Sequence, residues 1–337
     1  MPARAHIVPQ HRSVATHAAE AVPDDRRPHP GPVAVIPADD FFLDAVRAGG
    51  GEVSELSSDT RGLVWLTNGD AAQLVTVLDS HPAIHWVQLP FAGVDAFADV
   101  LKEYAGAPLP LWTSAKGAYS QPVAEHALTL TLALLRLIPK RVVATSWPTG
   151  EKEGTSLFGL SVLIVGAGGI AIELIRLLEP FGVRVTVVRR SPSPLAGAER
   201  TVTADRLREV LPDADVVIIA AAFTEGTRKL IGAPELAVMK HTAVLVNVAR
   251  GGLVDTDALV IALAAGDIAG AGLDVTDPEP LPDGHPLWNE PRAIITPHSA
   301  DTPKMIAPLL AERIRENVEA FLGDGRFVGV VDTGAGY

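Results

Sequence analysis

From Pro32 onward the chain alternates short apolar runs with longer stretches in which apolar residues return every three or four positions. Pro32-Val33-Ala34-Val35-Ile36, Gly62-Leu63-Val64-Trp65-Leu66 and Ile84-His85-Trp86-Val87-Gln88-Leu89 read as buried strands, and residues 41–48 and 71–80 as helices between them. Strands that alternate with helices are joined by crossovers and form a parallel sheet. The spacing therefore predicts a small α/β domain with its own core. At residues 122–143 the period becomes helical, with Val123, Ala127, Leu130, Leu134 and Leu137 near one face, which predicts a long linking helix. A second series follows, with strands expected at 161–166, 184–188, 216–220, 243–247, 271–275 and 293–296. Six strands in such a series give a doubly wound parallel sheet. A closing helix at 303–321 would return to the first domain, making the second an insertion.

The expected division is an extension at 1–30 without fixed structure, a discontinuous domain of 31–118 plus 301–337, and an inserted Rossmann-like domain of 119–300. A chain of 337 residues with 47% hydrophobic content is ample for two cores. A formal charge of −12 argues against a nucleic-acid partner, which calls for a basic face. One arginine can still dominate a small pocket. The absence of cysteine removes disulfides, thiolate nucleophiles and Cys-ligated zinc. His6, His11, His17 and His29 are too irregularly spaced to suggest a metal site. The longest apolar run, 127–138, falls short of the roughly 18–20 residues that span a bilayer. The first thirty residues carry no apolar h-region. No membrane partner is expected, and a cytoplasmic location is.

Gly166-Ala167-Gly168-Gly169-Ile170-Ala171 follows a strongly apolar strand and precedes a helical run. The first glycine permits a tight turn, the second lets backbone approach a pyrophosphate, and the small Ala171 lets helix pack on strand. The pyrophosphate would rest on the helix N-terminus. The next strand ends in Val187-Val188-Arg189-Arg190-Ser191, without the acid that usually accepts from a ribose 2′-hydroxyl. Two guanidiniums and a hydroxyl suit a 2′-phosphate, so NADP is favoured over NAD. Solvated strand-end charges are the alternative for Arg189 and Arg190.

Three polar residues punctuate the later, otherwise apolar segments. Arg250 follows Val246-Asn247-Val248-Ala249, Glu279 follows Leu273-Asp274-Val275-Thr276-Asp277-Pro278, and His298 follows Ile294-Ile295-Thr296-Pro297. Each sits past a short β-like run, at the strand edge where open α/β sheets place their ligands. A guanidinium there can hold an anionic oxyacid, an imidazole can pass a proton to or from its oxygen, and a carboxylate can orient the imidazole.

Taken in order, several segments resemble the D-isomer-specific 2-hydroxyacid dehydrogenases over roughly residues 33–321. They are Leu89-Pro90-Phe91-Ala92-Gly93-Val94-Asp95, Pro122-Val123-Ala124-Glu125-His126-Ala127, the glycine turn, Asn247-Val248-Ala249-Arg250-Gly251-Gly252-Leu253-Val254-Asp255, Gly272-Leu273-Asp274-Val275, Glu279-Pro280 and Pro297-His298. The resemblance implies a hydride transfer between NAD(P)H and a small 2-oxo or D-2-hydroxy acid such as glyoxylate, hydroxypyruvate or a pyruvate-like acid. It makes His298 the general acid or base, Glu279 its partner, and Arg250 the carboxylate clamp. It assigns Asp274 to the nicotinamide carboxamide and counts Ile170 and Ala249 with the cofactor site. The backbone at Ala92 and Gly93 would grip the substrate carboxylate. Tyr119 is either a residue that reaches the cleft from the hinge or an ordinary partly buried tyrosine. It also implies a homodimer, for which the apolar helix at 123–138 offers a surface.

The chain departs from the family in places. Gly169 stands where many relatives have an arginine beside the pyrophosphate, and Ala220-Ala221-Ala222-Phe223-Thr224 lacks the usual proline before the threonine. Lys116 lies near the hinge and suggests a second anion contact, but a solvated lysine is the favoured reading, and Trp288 reads as packing against a neighbour. Glu279, where a formate-dehydrogenase type has glutamine, speaks against that chemistry. Two other readings stand beside the enzyme: a non-enzymatic dinucleotide-sensing corepressor, which keeps the same triad, and a dehydrogenase for another small oxyanion.

Overall fold

The computed structural model describes residues 19–67, 70–147, 149 and 153–334. The chain divides into two compact units, residues 1–119 with 302–337, and residues 120–301. The first unit opens with β1 (Glu20–Ala21), followed by β2 (Val33–Ile36), α1 (Asp40–Ala48), β3 (Gly62–Trp65), α2 (Ala71–Ser80), β4 (Trp86–Gln88), α3 (Ala98–Glu103) and β5 (Leu111–Thr113). β2 to β5 pair in parallel, each beside the next in the chain. Every residue of β3, β4 and β5 is buried, as in a parallel sheet covered on both faces. Aspartates start the first two helices: Asp39 accepts from the Phe41 N–H and Asp70 from the Gln73 N–H. β5 lies outside the expected strands, because three residues are too few to show a period.

The second unit begins with α4 (Ser120–Leu135) and the short α5 (Ile138–Val142). The expected single helix breaks between them at Leu137, whose φ is +52°. Pro139 explains the break: it has no N–H to donate back along α4 and is tolerated only in the first turn of a new helix, α5. The series then runs β6 (Ser161–Val165), α6 (Gly169–Leu178), β7 (Arg184–Arg189), β8 (Arg200–Thr203), α7 (Leu207–Val210), β9 (Val216–Ile219), α8 (Ala233–Leu236), β10 (Val244–Asn247), α9 (Thr256–Ala265), β11 (Gly270–Leu273) and β12 (Ala293–Ile295). All seven strands are parallel, in the order β12-β11-β10-β9-β6-β7-β8. The expected count of six is corrected by β8, an edge strand in which only Val202 is buried. Its alternation of polar residues hides it from a reading based on apolar runs.

Register decides where the loops leave this sheet. Val165 pairs with Val188 and Ile219, Ile219 with Asn247, Asn247 with Leu273, and Leu273 with Ile295. The carboxyl ends of five strands next to β6 or beyond it are therefore level, and the chain order reverses between β6 and β9. Ligands of open α/β sheets bind at such an edge and such a reversal. Glycines on β11 let α4 lie close beneath it, since a Cβ on Gly272 would stand 3.0 Å from that of Leu130.

The chain returns to the first unit through α10 (Pro303–Leu322), which packs on α1, and ends in β13 (Arg326–Phe327). β13 pairs antiparallel with β1, and the Val22 N–H donates to the Gly325 carbonyl. Part of the stretch expected as an extension is thus structured, residues 19–30; the rest of that expectation lies outside the described residues.

Candidate active site

The expected site residues of the second unit gather in the loops that leave the level edge of its sheet. Gly166 follows β6 with φ +120°, and a Cβ there would stand 2.3 Å from the Ala220 carbonyl oxygen. Only glycine fits both the dihedral and the space. Gly168 is the N-cap of α6 and offers no side-chain cap, so the helix's first N–H groups are left to a ligand. A Cβ on Gly168 would meet nothing within 4 Å, which is the room that a pyrophosphate needs. Gly169 and Ala171 are buried, and Ile170 is half-buried at the same turn. Small residues, an uncapped helix start and open space together fit a dinucleotide phosphate.

At the end of β7, Arg189 is half-buried and its guanidinium donates to the Ser193 carbonyl at 3.4 Å. Ser191 and Ser193 share a hydrogen bond of 2.9 Å, while Arg190 is exposed. The loop is thus lined by two guanidiniums and two hydroxyls, with no carboxylate on residues 189–193.

After β10, Asn247 staples the turn that carries Arg250. Its Oδ1 accepts from the Ala249 N–H at 3.1 Å and its Nδ2 donates to the Arg250 carbonyl at 2.9 Å. Ala249 is buried, and its carbonyl accepts from the Arg250 guanidinium at 2.8 Å. A Cβ on Gly251 would come within 1.8 Å of the Thr276 carbonyl oxygen, so the loops after β10 and β11 touch through this glycine.

Beyond β11 and β12 stand Glu279 and His298, joined by a 2.7 Å hydrogen bond between Glu279 Oε1 and His298 Nδ1. A carboxylate on Nδ1 makes that nitrogen the donor and leaves Nε2 for proton exchange with a ligand. Both side chains are about two-fifths exposed. His298 has a left-handed φ of +50°, which nothing in the local sequence signals. Backbone of this kind in a non-glycine residue persists only where its surroundings hold it.

What holds it is Asp274. The His298 N–H donates to the Asp274 carbonyl at 2.8 Å, Ser299 N–H to Asp274 Oδ1 at 2.9 Å and Ala300 N–H to Oδ2 at 3.1 Å. Thr296 adds its hydroxyl to Oδ1 at 2.6 Å, and His126 on α4 reaches Thr296 Oγ1 at 2.9 Å and Asp274 Oδ1 at 3.3 Å. Asp274 is only 2% exposed. Burial alone would raise its pKa, but the hydrogen bonds from His126, Thr296, Ser299 and Ala300 outweigh it and hold it at about 2. Asp301 behaves in the opposite way. Burial pushes its pKa up to about 6, Asp274 adds to the rise, and the nearby charges of His298 and Arg250 oppose it.

The sequence reading gave no role to His126, Thr296 or Asp301. His126 was visible only within a motif, and neither Thr296 nor Asp301 carries a spacing signal.

The remaining expected residues lie in the first unit. Ala92 and Gly93 follow β4 in a turn beside Pro90, and the buried Tyr119 donates its hydroxyl to the Pro90 carbonyl at 2.6 Å. In the second unit, Trp288 donates Nε1 to the Pro282 carbonyl at 3.0 Å. Among the described residues no group of three or more His, Asp or Glu could hold a metal, and no helix is long and apolar enough to cross a membrane.

Comparison with known proteins supplies the family. The model of the D-isomer specific 2-hydroxyacid dehydrogenase NAD-binding domain matches residues 128–300, inside the second unit. An uncharacterized protein in the proB 3′ region of Corynebacterium melassecola is 40% identical over 276 residues, 80% of this chain and 88% of that one. The human glyoxylate reductase/hydroxypyruvate reductase is 38% identical over 182 residues, 52% of this chain and 56% of that enzyme. Among solved structures, a D-isomer specific 2-hydroxyacid dehydrogenase of Xanthobacter autotrophicus Py2, in complex with NADPH and MES, superposes with a TM-score of 0.76. It is 27% identical and covers 91% of this chain and all of that one, at 100%. The chain belongs to the D-isomer specific 2-hydroxyacid dehydrogenase family and is an NAD(P)-dependent oxidoreductase of 2-hydroxy acids.

Proposed function

We propose that the enzyme reduces a small 2-oxo acid of the glyoxylate or hydroxypyruvate type, with NADPH preferred over NADH. The observation that carries the reading is the 2.7 Å pair of His298 and Glu279, set on the same sheet edge as Arg250. Similarity to the human glyoxylate reductase/hydroxypyruvate reductase supports the substrate class. The acid-free end of β7, with Arg189, Arg190 and Ser191, supports the cofactor preference.

A bound reduced dinucleotide supplies the hydride to the carbonyl carbon. Gly166 and Gly168 would admit its pyrophosphate at the start of α6, Gly169, Ile170 and Ala249 would line the site, and Asp274 would hold the carboxamide. Oδ1 of Asp274 already accepts from Thr296, Ser299 and His126, so Oδ2, with one donor, has the free lone pair for that amide. Arg250 pairs with the substrate carboxylate and polarises the neighbouring carbonyl, which suits its planar fork. His298 Nε2–H gives its proton to the carbonyl oxygen as negative charge develops there. One hydride and one proton convert the oxo acid to the hydroxy acid, and the proton on His298 is replaced from solvent. Glu279 keeps Nδ1 protonated and the ring oriented. In the first unit, the backbone of Ala92 and Gly93 is a second candidate to hold a carboxylate. Tyr119, committed to Pro90, shapes that turn in this reading rather than touching substrate.

The test is loss of reduced-nicotinamide absorbance with NADPH, then NADH, against glyoxylate, hydroxypyruvate, pyruvate and bulkier 2-oxo acids. Turnover confined to bulky oxo acids would refute the substrate class, and faster turnover with NADH would refute the cofactor preference.

We also propose a homodimer, through the C-terminal end of the helix expected from sequence and the residues that follow it. Val123, Ala127, Leu130 and Leu134 are buried within the second unit. The apolar surface left exposed lies just beyond, at Ile138, Val142, Val143 and Trp147. Exposed apolar residues gathered at one helix end are candidates for association. A monomeric mass in light scattering would exclude the dimer.

A further inference from the structure

We propose that His126 is a positioning residue for hydride transfer, locking Asp274 and through it the turn that carries His298. The inference rests on the reaction proposed above and names a part of its machinery that touches neither substrate nor reacting atoms.

The hydrogens can be assigned from the distances. Thr296 has one hydroxyl proton, and at 2.6 Å from a carboxylate oxygen that proton goes to Asp274 Oδ1. Thr296 Oγ1 can then only accept from His126 Nε2 at 2.9 Å, so Nε2 carries a hydrogen. The same hydrogen faces Asp274 Oδ1 at 3.3 Å and is shared between the two oxygens. His126 is thus the outermost donor of a directed chain, from imidazole to hydroxyl to carboxylate.

The carboxylate at the end of that chain has two duties. Three successive N–H groups, from His298, Ser299 and Ala300, converge on Asp274 through its carbonyl and its side chain. That convergence is the restraint on the left-handed backbone of His298. Rotation of the Asp274 carboxyl would release two of the three N–H groups and turn Oδ2 away from the nicotinamide. The imidazole prevents this from a rigid base. Its helix is packed on β10 and β11, with Ala127 and Leu130 buried beside it. His126 is itself largely covered, with a side chain 19% exposed.

The test compares His126→Phe, His126→Gln and Thr296→Val with wild type. It measures kcat and KM for the best 2-oxo acid, dissociation constants for NADPH and NADH by fluorescence, and melting temperature. A donor to a buried carboxylate is worth a factor of about ten to a hundred. H126F should therefore lose that much in kcat with KM changed by less than about threefold, and bind reduced dinucleotide more weakly. H126Q, whose amide can replace Nε2–H, should return to within about threefold of wild type. The double variant H126F/T296V should lose little beyond the larger single loss, because both act on one chain. Wild-type kcat in H126F, H126Q as impaired as H126F, or losses that multiply in the double variant would each overturn the proposal. If H126F does not fold, T296V and H126Q read the same chain by the same criteria. A wild-type protein inert towards every 2-oxo acid would sink the proposed reaction instead. Dinucleotide affinity would then judge His126 alone, and unchanged affinity in H126F and T296V would reject its role.

Discussion

The two sides of the seven-stranded sheet build their sites by opposite means. Around β6 and β7 the features that suit a ligand are things left out: the side chains of Gly166 and Gly168, a helix cap, an acid at the strand end. Past β10, β11 and β12 they are things put in, namely Arg250, Asp274, Glu279 and His298, fixed by hydrogen bonds within their own turn or from a neighbouring loop. The first side recognises by shape and backbone polarity, which is enough for a phosphate that undergoes no chemistry. The second must place a proton and a positive charge at particular atoms. The substitutions that expose this difference have effects of very different size.

The largest effect belongs to His298→Ala. Loss of general acid catalysis should lower kcat by roughly two to four orders of magnitude. Affinity for reduced dinucleotide, to which the His298 side chain is not assigned, should stay within about threefold of wild type. Stopped-flow turnover and fluorescence titration separate the two, and retained turnover would remove His298 from its role.

Gly166→Ala is the converse and the next in size. A methyl group 2.3 Å from the Ala220 carbonyl, on a residue with φ +120°, forces the loops after β6 and β9 apart. Dinucleotide binding should weaken at least about tenfold and the melting temperature should fall by several degrees. Wild-type binding by titration calorimetry would mean that the turn tolerates the Cβ and that the glycine serves another purpose.

The contrast also explains what could be read from sequence. Omission leaves a pattern: glycines at fixed spacing after an apolar run, or the missing acid after Val188, are visible as letters. Buried parallel strands such as β9 and β10 are legible for the same reason, since nothing polar interrupts them. Arg250, Glu279 and His298 were legible because charge stands out against apolar surroundings. The lock behind them was not. His126 lies 148 positions from Asp274 in the chain, and only the packing of α4 under β11 brings them together. Edge strand β8 and the break at Leu137 were missed because the first mixes polar with apolar residues and the second interrupts an otherwise helical period. The left-handed backbone of His298 is a property of the Asp274 network, so no local signal carries it.

Arg189→Asp probes the recognition side more gently. Replacing a guanidinium by a carboxylate repels a 2′-phosphate and gives a ribose hydroxyl an acceptor. The ratio of kcat/KM for NADPH to that for NADH should fall about tenfold or more, with kcat for the better cofactor within about threefold. An unchanged ratio would place the selector elsewhere.

The smallest effect is expected at Asp301, and it turns on sign. The pKa of Asp274 is held at about 2 by its donors, so its contribution to stability is present at neutral pH and is lost as pH falls from about 4 towards 2. The pKa of Asp301 is raised to about 6 by burial. Between roughly pH 4 and 6 the folded protein holds a proton there that the unfolded chain releases, so stability declines as pH rises through that window. The loss persists at neutral pH, where the carboxylate is charged in both states. Asp301→Asn removes the slope. Its melting temperature should exceed that of wild type by about 2 °C at pH 7 and by little at pH 4.5, the scale expected for about 1 kcal/mol in a protein of this size. A difference that does not change with pH would show that Asp301 titrates as an ordinary surface carboxylate. The catalytic side would then owe its polarity to the Asp274 lock and the Glu279–His298 pair, without a strained acid beside them.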